Sequence, residues 1–477
     1  MYLISALLAF AQILPVDGNM VFGDGTSVRP GDVSGSTPHC PDSIFTGTAA
    51  VAIPHDHPNI TFEGAFFITH GDSATRLDRW TEEVIRHPDS GLSPASRPFA
   101  RTQSGVQIRF VTESPCVKVR FTEREGAAKT GLKAMKSPPS SLLDKESAPD
   151  MHKGAGFRIR VDGKTVAYAD TTVFTFSTRG GIATTGIGES GQTGPESAKP
   201  EPERVGSNEN GSVVPRMVEI ALPSMHGVDF SGLKLQKGSD LHKGVQKSAP
   251  NIPNEPSRDA PQESAPNVIK EPTLNAPAVP VRRPVYVAIG NSITHGTGHQ
   301  PASYDTWPFR LAEAMDWELV NLAVAGAHIG PAVADLLYGQ RVDVITILKG
   351  FNDWMFGERS LLDTVARFEQ LLRDIRLHQP EAQIFVITPL HTNRGSPAGA
   401  ATFGLSDLRN SIATVVREHV EAGDRRIHLL GGCRLSDDTM LMDGIHLSAE
   451  GAERFAAQAE KEIRARKKSI RKRADEP

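Results

Sequence analysis

"VYVAIGNSITHGTG", residues 285–298, decides how the C-terminal half folds. Val285 to Ile289 is an unbroken apolar run, as in a strand covered on both faces. The chain then leaves through Gly290, Asn291, Ser292, Thr294, His295 and Gly296. A tight strand-to-helix turn accounts for the glycines. It does not account for Ser292, which falls where a strand's carboxyl end meets the next helix. In open α/β sheets that edge is where ligands bind.

Working outward, the apolar runs "ELVNLAV", "VDVITIL", "QIFVIT" and "RIHLL" repeat the buried-strand pattern. Between them lie amphipathic stretches such as "LLDTVARFEQLLRDIRLH" and "LSDLRNSIATVVREHVEA", and a last helix starts at "SAEGAERFAAQAEKEI" with Ser448 as N-cap. Strands alternating with helices predict an α/β domain, a parallel sheet between helices, over 283–466.

The residues that follow these strands carry chemistry. After the first comes Ser292, after the second Gly326 in "AVAGA", after the third Asn352 in "KGFNDW", and before the last helix Asp443 and His446 in "MDGIHLS". A serine hydroxyl is a weak nucleophile unless a base takes its proton, and that base needs a group to fix its tautomer. His446 suits the first role and Asp443, three residues earlier, the second. The backbone N–H groups of Ser292 and Gly326 and the Asn352 amide suit an oxyanion hole. Each residue alone has an ordinary reading: Ser292 as a helix cap, His446 as an exposed histidine, Gly326 as a packing glycine, G-x-N-D as a turn. The four in order, each at the same edge, favour catalysis. Asp437 and Asp438 lie nearby, and spacing favours Asp443. The pattern is not the G-x-S-x-G elbow of α/β-hydrolases, since Thr294 stands two residues after Ser292.

Upstream the pattern differs. In "GVQIRFV", Val106, Ile108 and Phe110 alternate with Gln107 and Arg109. "VKVRF", "FRIRVDGKTVAYAD", "VEIALPS" and "VDFSGLKL" behave alike, and Asp162-Gly163 is a hairpin turn. Short alternating strands without a long helix predict an antiparallel β-sandwich over 46–237. Polar insertions near 124–154 and 178–213, and a Pro- and Ser-rich linker over 238–282, are expected to be flexible. Residues 1–45 carry a signal-like run, "MYLISALLAF", without a preceding Lys or Arg. Extracellular or periplasmic residence is favoured over cytoplasmic. A basic tail spans 467–477.

The set "GNSIT", Gly326, "GFND" and "DGIHLS" resembles the SGNH (GDSL-type) esterase superfamily, over about 283–466. The resemblance implies a three-layer αβα sandwich and assigns Ser292, Gly326, Asn352 and His446 as the functional residues, with Asp443 completing the triad. "WPFRLAEAM" fits the family's first helix. Asn291 departs from the family's Asp at that position, which is not one of the four functional residues. "GVQIRFVTESP", "GFRIRVDG" and "LPSMHGVDFSGLKL" resemble the N-terminal β-sandwich of two-domain bacterial members, whose substrates are often acylated sugars.

The expectation is therefore a serine esterase acting on short-chain esters, including O-acetyl groups on carbohydrate, with no metal and no cofactor. The alternatives are an O-acyltransferase with the same triad and a glycan-binding protein with an inactive hydrolase half. His295, His299 and His391 are candidates to line the pocket. Trp354 would wall an acyl pocket or pack a helix, and Asp353 would cap a helix. A net charge of -4 gives no reason to expect nucleic acid, and no apolar stretch is long enough to span a bilayer. The oligomeric state is open. Cys40, Cys116 and Cys433 are far apart and odd in number, so no disulfide framework or zinc site is expected. The flexible linker further suggests that a fragment of about 280–470 would act on small esters by itself.

Overall fold

The computed structural model describes residues 40–46, 50–128, 156–169, 171–179, 183–184, 214–243, 282–297, 303–357, 359–395 and 402–474. The signal-like run, His299, most of both insertions and nearly all of the linker lie outside them.

Two sheets form the N-terminal half. One contains Phe67–His70, Thr75–Asp78, Val228–Gln236, Cys116–Glu123 and Val173–Ser177 in that order, with Ala50–Ile53 added beside Val228–Gln236. The other is built on Phe157–Val161, Arg216–Ala221 and Gln107–Thr112. Pairing is antiparallel except at the two-residue strand Ala183–Thr184, which runs parallel to its neighbour. Alternation does what the sequence suggests: Ile108, Phe110, Val117, Val119, Phe121, Ile159 and Val161 all point into one core between the sheets. Asp162 and Gly163 both have positive φ, as the two-residue hairpin turn requires.

The cysteines depart from expectation. Cys40 and Cys116 form a disulfide, with Cα atoms 5.8 Å apart. A sequence separation of 76 hides the pairing from any spacing rule. It arises because the segment after Cys40 lies along the sandwich, where Asp42 takes a 2.8 Å ion pair from Lys118.

The C-terminal half is a five-stranded parallel sheet of Val285–Gly290, Glu318–Asn321, Val344–Leu348, Gln383–Ile387 and Ile427–Leu430. Numbered along the chain, their spatial order is 2-1-3-4-5. The first three are buried at every position, as expected of strands with helices on both faces. The order reverses between strands one and three, and the crevice beyond their carboxyl ends is the binding position for such a sheet. Ser292 follows strand one and Asn352 follows strand three, so both flank that crevice.

The two halves share a core. Phe66, Trp80, Val84, Ile85, Leu92 and Ala100 from the N-terminal half sit in one apolar cluster with Val285, Val287, Ile289, Ile329 and Phe351. Ion pairs join the halves at the periphery: Arg158 with Asp305 (3.0 Å), Arg283 with Glu63 (2.7 Å) and Arg367 with Asp89 (2.8 Å). No described helix is long and apolar enough to cross a membrane.

Candidate active site

The chain leaves strand one at Gly290. A Cβ there would lie 2.3 Å from Thr294 Oγ1, so only glycine lets the next turn fold back this closely. The short helix Ser292–His295 follows. Asn291 is its cap, with Oδ1 accepting the Ile293 N–H at 3.1 Å. An Asn does this as well as an Asp, which explains in structural terms why the departure at 291 leaves the turn intact. Ser292 opens the helix, so its N–H has no partner within it.

On the far side, "MDGIHLS" folds as a tight loop before the long helix Ala449–Ala474. Ser448 caps that helix, as the sequence suggests, by accepting the Gly451 N–H at 2.9 Å. Asp443 Oδ1 accepts the N–H groups of Ile445 and His446 at 2.9 and 2.7 Å. Asp443 Oδ2 lies 2.7 Å from His446 Nδ1, and His446 Nε2 lies 2.9 Å from Ser292 Oγ. The three side chains thus form one hydrogen-bonded line. The His446 side chain is 4% exposed and that of Asp443 39%. Burial alone would raise the Asp443 pKa, but the bond to His446 and its charge outweigh it, with the two backbone N–H groups helping, and hold it at about 2. Asp443 is therefore ionised at any ordinary pH and keeps His446 protonated on Nδ1, leaving Nε2 to face Ser292.

Asp437 and Asp438 are engaged elsewhere. Asp437 caps the turn at Thr439 and pairs with Arg454, and Asp438 pairs with His391 at 2.8 Å. His391 is thereby held in a surface pair. Trp354 is buried against Phe351 in the shared core, which is the packing alternative of its two readings.

The loop after strand two brings Gly326 to this edge. Gly326 has φ +76°, a conformation that suits glycine. The helix Phe351–Phe356 holds the loop from one side. Asn352 Nδ2 donates to Ala327 O at 2.9 Å, which occupies one of its two amide hydrogens. Asp353 is not the helix cap that the sequence predicts; its carboxylate accepts the Ile329 N–H at 3.0 and 3.2 Å. Buried Lys349 donates to His328 O at 3.0 Å, and burial pulls its pKa down to about 8 despite the carboxylate of Asp353.

His295 lies beneath the site rather than in it. It is fully buried; Nε2 faces Ser224 O, and Nδ1 accepts the Ala325 N–H at 3.1 Å. Burial, with the charge of Arg79 adding to it, lowers its pKa to about 3, so it is neutral. The sequence marks His295 as a candidate to line the pocket but gives no sign of its partners Thr102, Ser104 and Ser224, or of Arg79. No local motif marks those residues; each lies in the sandwich, far from residue 295 in the chain.

Residues 288–454 match the model of the GDSL-like lipase/acylhydrolase family. No curated protein matches the chain. Among solved structures, a salicylyl-acyltransferase from a tetracycline biosynthetic pathway aligns at 19% identity and TM-score 0.60, over 88% of this chain and 98% of its own. A protein described as a GDSL-like lipase from Bacteroides ovatus aligns at 14% identity and TM-score 0.57, over 88% and 98%. An acetyl xylan esterase from the rumen bacterium Butyrivibrio proteoclasticus aligns at 12% and 0.50, over 87% and 97%. At these identities the likeness is one of fold. It extends over both halves, so the β-sandwich and the parallel-sheet domain recur together.

Proposed function

We propose that this chain, which carries a GDSL-like lipase/acylhydrolase domain, is a serine esterase with Ser292 as nucleophile, His446 as general base and acid, and Asp443 as the group that orients His446. The observation that supports this most is the unbroken line from Ser292 Oγ through His446 to Asp443. In this mechanism Ser292 Oγ attacks the ester carbonyl while its proton passes to His446 Nε2. His446 returns the proton to the leaving alcohol, and water repeats the cycle on the acyl-enzyme. The Ser292 N–H, the Gly326 N–H and the second hydrogen of the Asn352 amide would receive the oxyanion.

The substrate class we infer is short-chain esters, including O-acetyl groups on carbohydrate. The fold shared with an acetyl xylan esterase is in keeping with this, and the Cys40–Cys116 disulfide suits an oxidising compartment where such glycans occur. The test is hydrolysis of a panel of aryl acetates, aryl butyrates and acetylated glycans by wild type and Ser292→Ala, with and without a free sugar acceptor. Acetate release that depends on Ser292 supports the reading. Acyl transfer to the sugar exceeding hydrolysis would make the chain an acyltransferase instead, and no Ser292-dependent turnover of any ester would overturn the reading.

A further inference from the structure

The loop from Asn321 to Ile329, which carries Gly326, is held from above by the N-terminal half. Arg79, which follows the sandwich strand Thr75–Asp78, is fully buried. Its guanidinium donates to Ala323 O at 2.9 Å and to Asn321 O in the loop, and to Thr102 O at 2.7 Å in the sandwich. Burying a cation is costly unless its donors are satisfied, and here carbonyl oxygens of both halves satisfy it. Burial and the nearby charge of Arg124 lower its pKa to about 9, so it stays charged near neutrality.

His295 makes the second tie. Ser224 O can only accept, so Nε2 carries the ring proton and Nδ1 is left to accept the Ala325 N–H. Thr102 donates to the same Ser224 carbonyl at 2.6 Å, and Ser104 donates to His295 O at 2.6 Å. The residue immediately before Gly326 is therefore fixed by a ring whose other nitrogen is anchored in the sandwich.

We propose that Arg79 and His295 are positioning residues through which the β-sandwich sets the Gly326 N–H for the oxyanion. The sandwich is then part of the catalytic apparatus and not only a substrate-binding appendage. This rests on the esterase reading, in which Gly326 is an oxyanion donor. The hydrogen bonds of both side chains go to the sandwich and to the 321–329 loop, not to Ser292 Oγ. Their effect passes through the backbone of the 321–329 loop, where a displacement of about 1 Å can cost about 10²-fold in rate.

The experiment uses the full chain and four variants: His295→Gln, His295→Asn, Arg79→Lys and Ser292→Ala. The His295 pair separates the two bonds. Gln keeps a donor that can reach Ser224, whereas Asn keeps an acceptor placed like Nδ1 for Ala325. For wild type and the His295 and Arg79 variants, turnover of an aryl acetate is expressed per site labelled to completion by a fluorophosphonate, which removes any loss of folded protein; Ser292→Ala, which has no serine to label, is compared per mole of protein. A trifluoromethyl ketone, which forms a tetrahedral adduct with a serine, reports the oxyanion hole separately from ground-state binding. His295→Gln is expected to lower kcat about 10- to 100-fold with KM within about twofold, and to weaken the ketone by the same factor. His295→Asn should recover most of that loss, and Arg79→Lys should behave like His295→Gln. If kcat per labelled site stays within about twofold in His295→Gln, the inference is overturned while an inactive Ser292→Ala leaves the esterase reading standing. The same holds if both His295 variants lose activity only in step with the labelled fraction. Should Arg79→Lys fail to fold, the His295 pair alone decides. An active Ser292→Ala would remove the reading and the inference together.

Discussion

Ser292 Oγ and His446 Nε2 lie 2.9 Å apart although their positions in the chain differ by 154. The contact is made by the sheet order: strand one delivers Ser292 to the crevice, and the loop before the last helix lowers His446 onto it. Asp443 holds the ring from behind at 2.7 Å. The three side chains act as a unit, so their losses should not add. Ser292→Ala and His446→Ala are each expected to lower kcat on an aryl acetate by about 10³-fold or more, with the double variant little worse than either. Steady-state kinetics on the three proteins checks this; additive losses would contradict the assignment.

Asn352 has a double task. One amide hydrogen holds Ala327 O at 2.9 Å, and the other is assigned to the oxyanion. Asn352→Ala should reduce kcat by about 10²–10³-fold with little change in KM, because the donor matters mainly once charge develops on oxygen. A change in KM alone would make Asn352 a substrate-binding residue.

The parallel sheet was legible because each strand is a local signal, and a strand buried on both faces is apolar without a break. The candidate site was legible for a related reason: Ser292, Gly326 and Asn352 each fall within a few residues of a strand's end, so their place at the carboxyl edge comes with the topology. The sandwich was legible from alternation alone, as in Gln107–Thr112. What stayed hidden depends on pairs that no local pattern encodes. Arg79 reaches a carbonyl 242 residues away, and His295 one 71 residues away. Cys40 meets Cys116 only because the first described segment lies along the sandwich. Asp353 sits where a cap would sit, yet its carboxylate turns to Ile329, which sequence position could not foretell.

Burying His295 has a consequence for acid stability. Its folded pKa of about 3 lies below the ordinary 6.5. Between those values the unfolded chain binds a proton that the folded chain does not. Stability is therefore full above about pH 6.5 and falls as pH drops, by about 1.4 kcal/mol per pH unit for one group, until the folded pKa is reached. Glu318 tilts the other way: burial, and after it the charge of Glu63, raises its pKa to about 7, so it contributes stability that is lost as pH rises from 4.5 towards 7. The difference between wild type and His295→Asn isolates His295. Denaturant unfolding at pH 7, 6 and 5 should show the gap between the two proteins shifting in favour of the variant as pH falls. A gap independent of pH would mean that His295 is not held neutral.

The last prediction concerns the fragment of about 280–470, which contains every group proposed for the chemistry. A flexible linker suggested that such a fragment would work by itself on small esters. The shared core argues against it. Removing the N-terminal half strips Phe66, Trp80, Val84, Ile85, Leu92 and Ala100 from the cluster that covers strand one and the 321–329 loop. The larger of these side chains are each worth about 1.5–3 kcal/mol when fully buried. Together they approach the whole stability of a typical domain, about 5–15 kcal/mol. The fragment also loses the Trp80 bond to Leu322 O (3.1 Å), the Gly91 carbonyl that receives the His328 N–H (2.9 Å), and both ties made by Arg79. The loop carrying Gly326 would then be open to water on the face that the sandwich now covers. The fragment is expected to aggregate or to unfold without a cooperative transition, and any soluble part should turn over an aryl acetate at least about 10²-fold more slowly than the full chain. Thermal unfolding and kcat measured on both proteins decide this. A cooperatively folded fragment with the kcat of the full chain would show that the sandwich serves only to bind extended substrates.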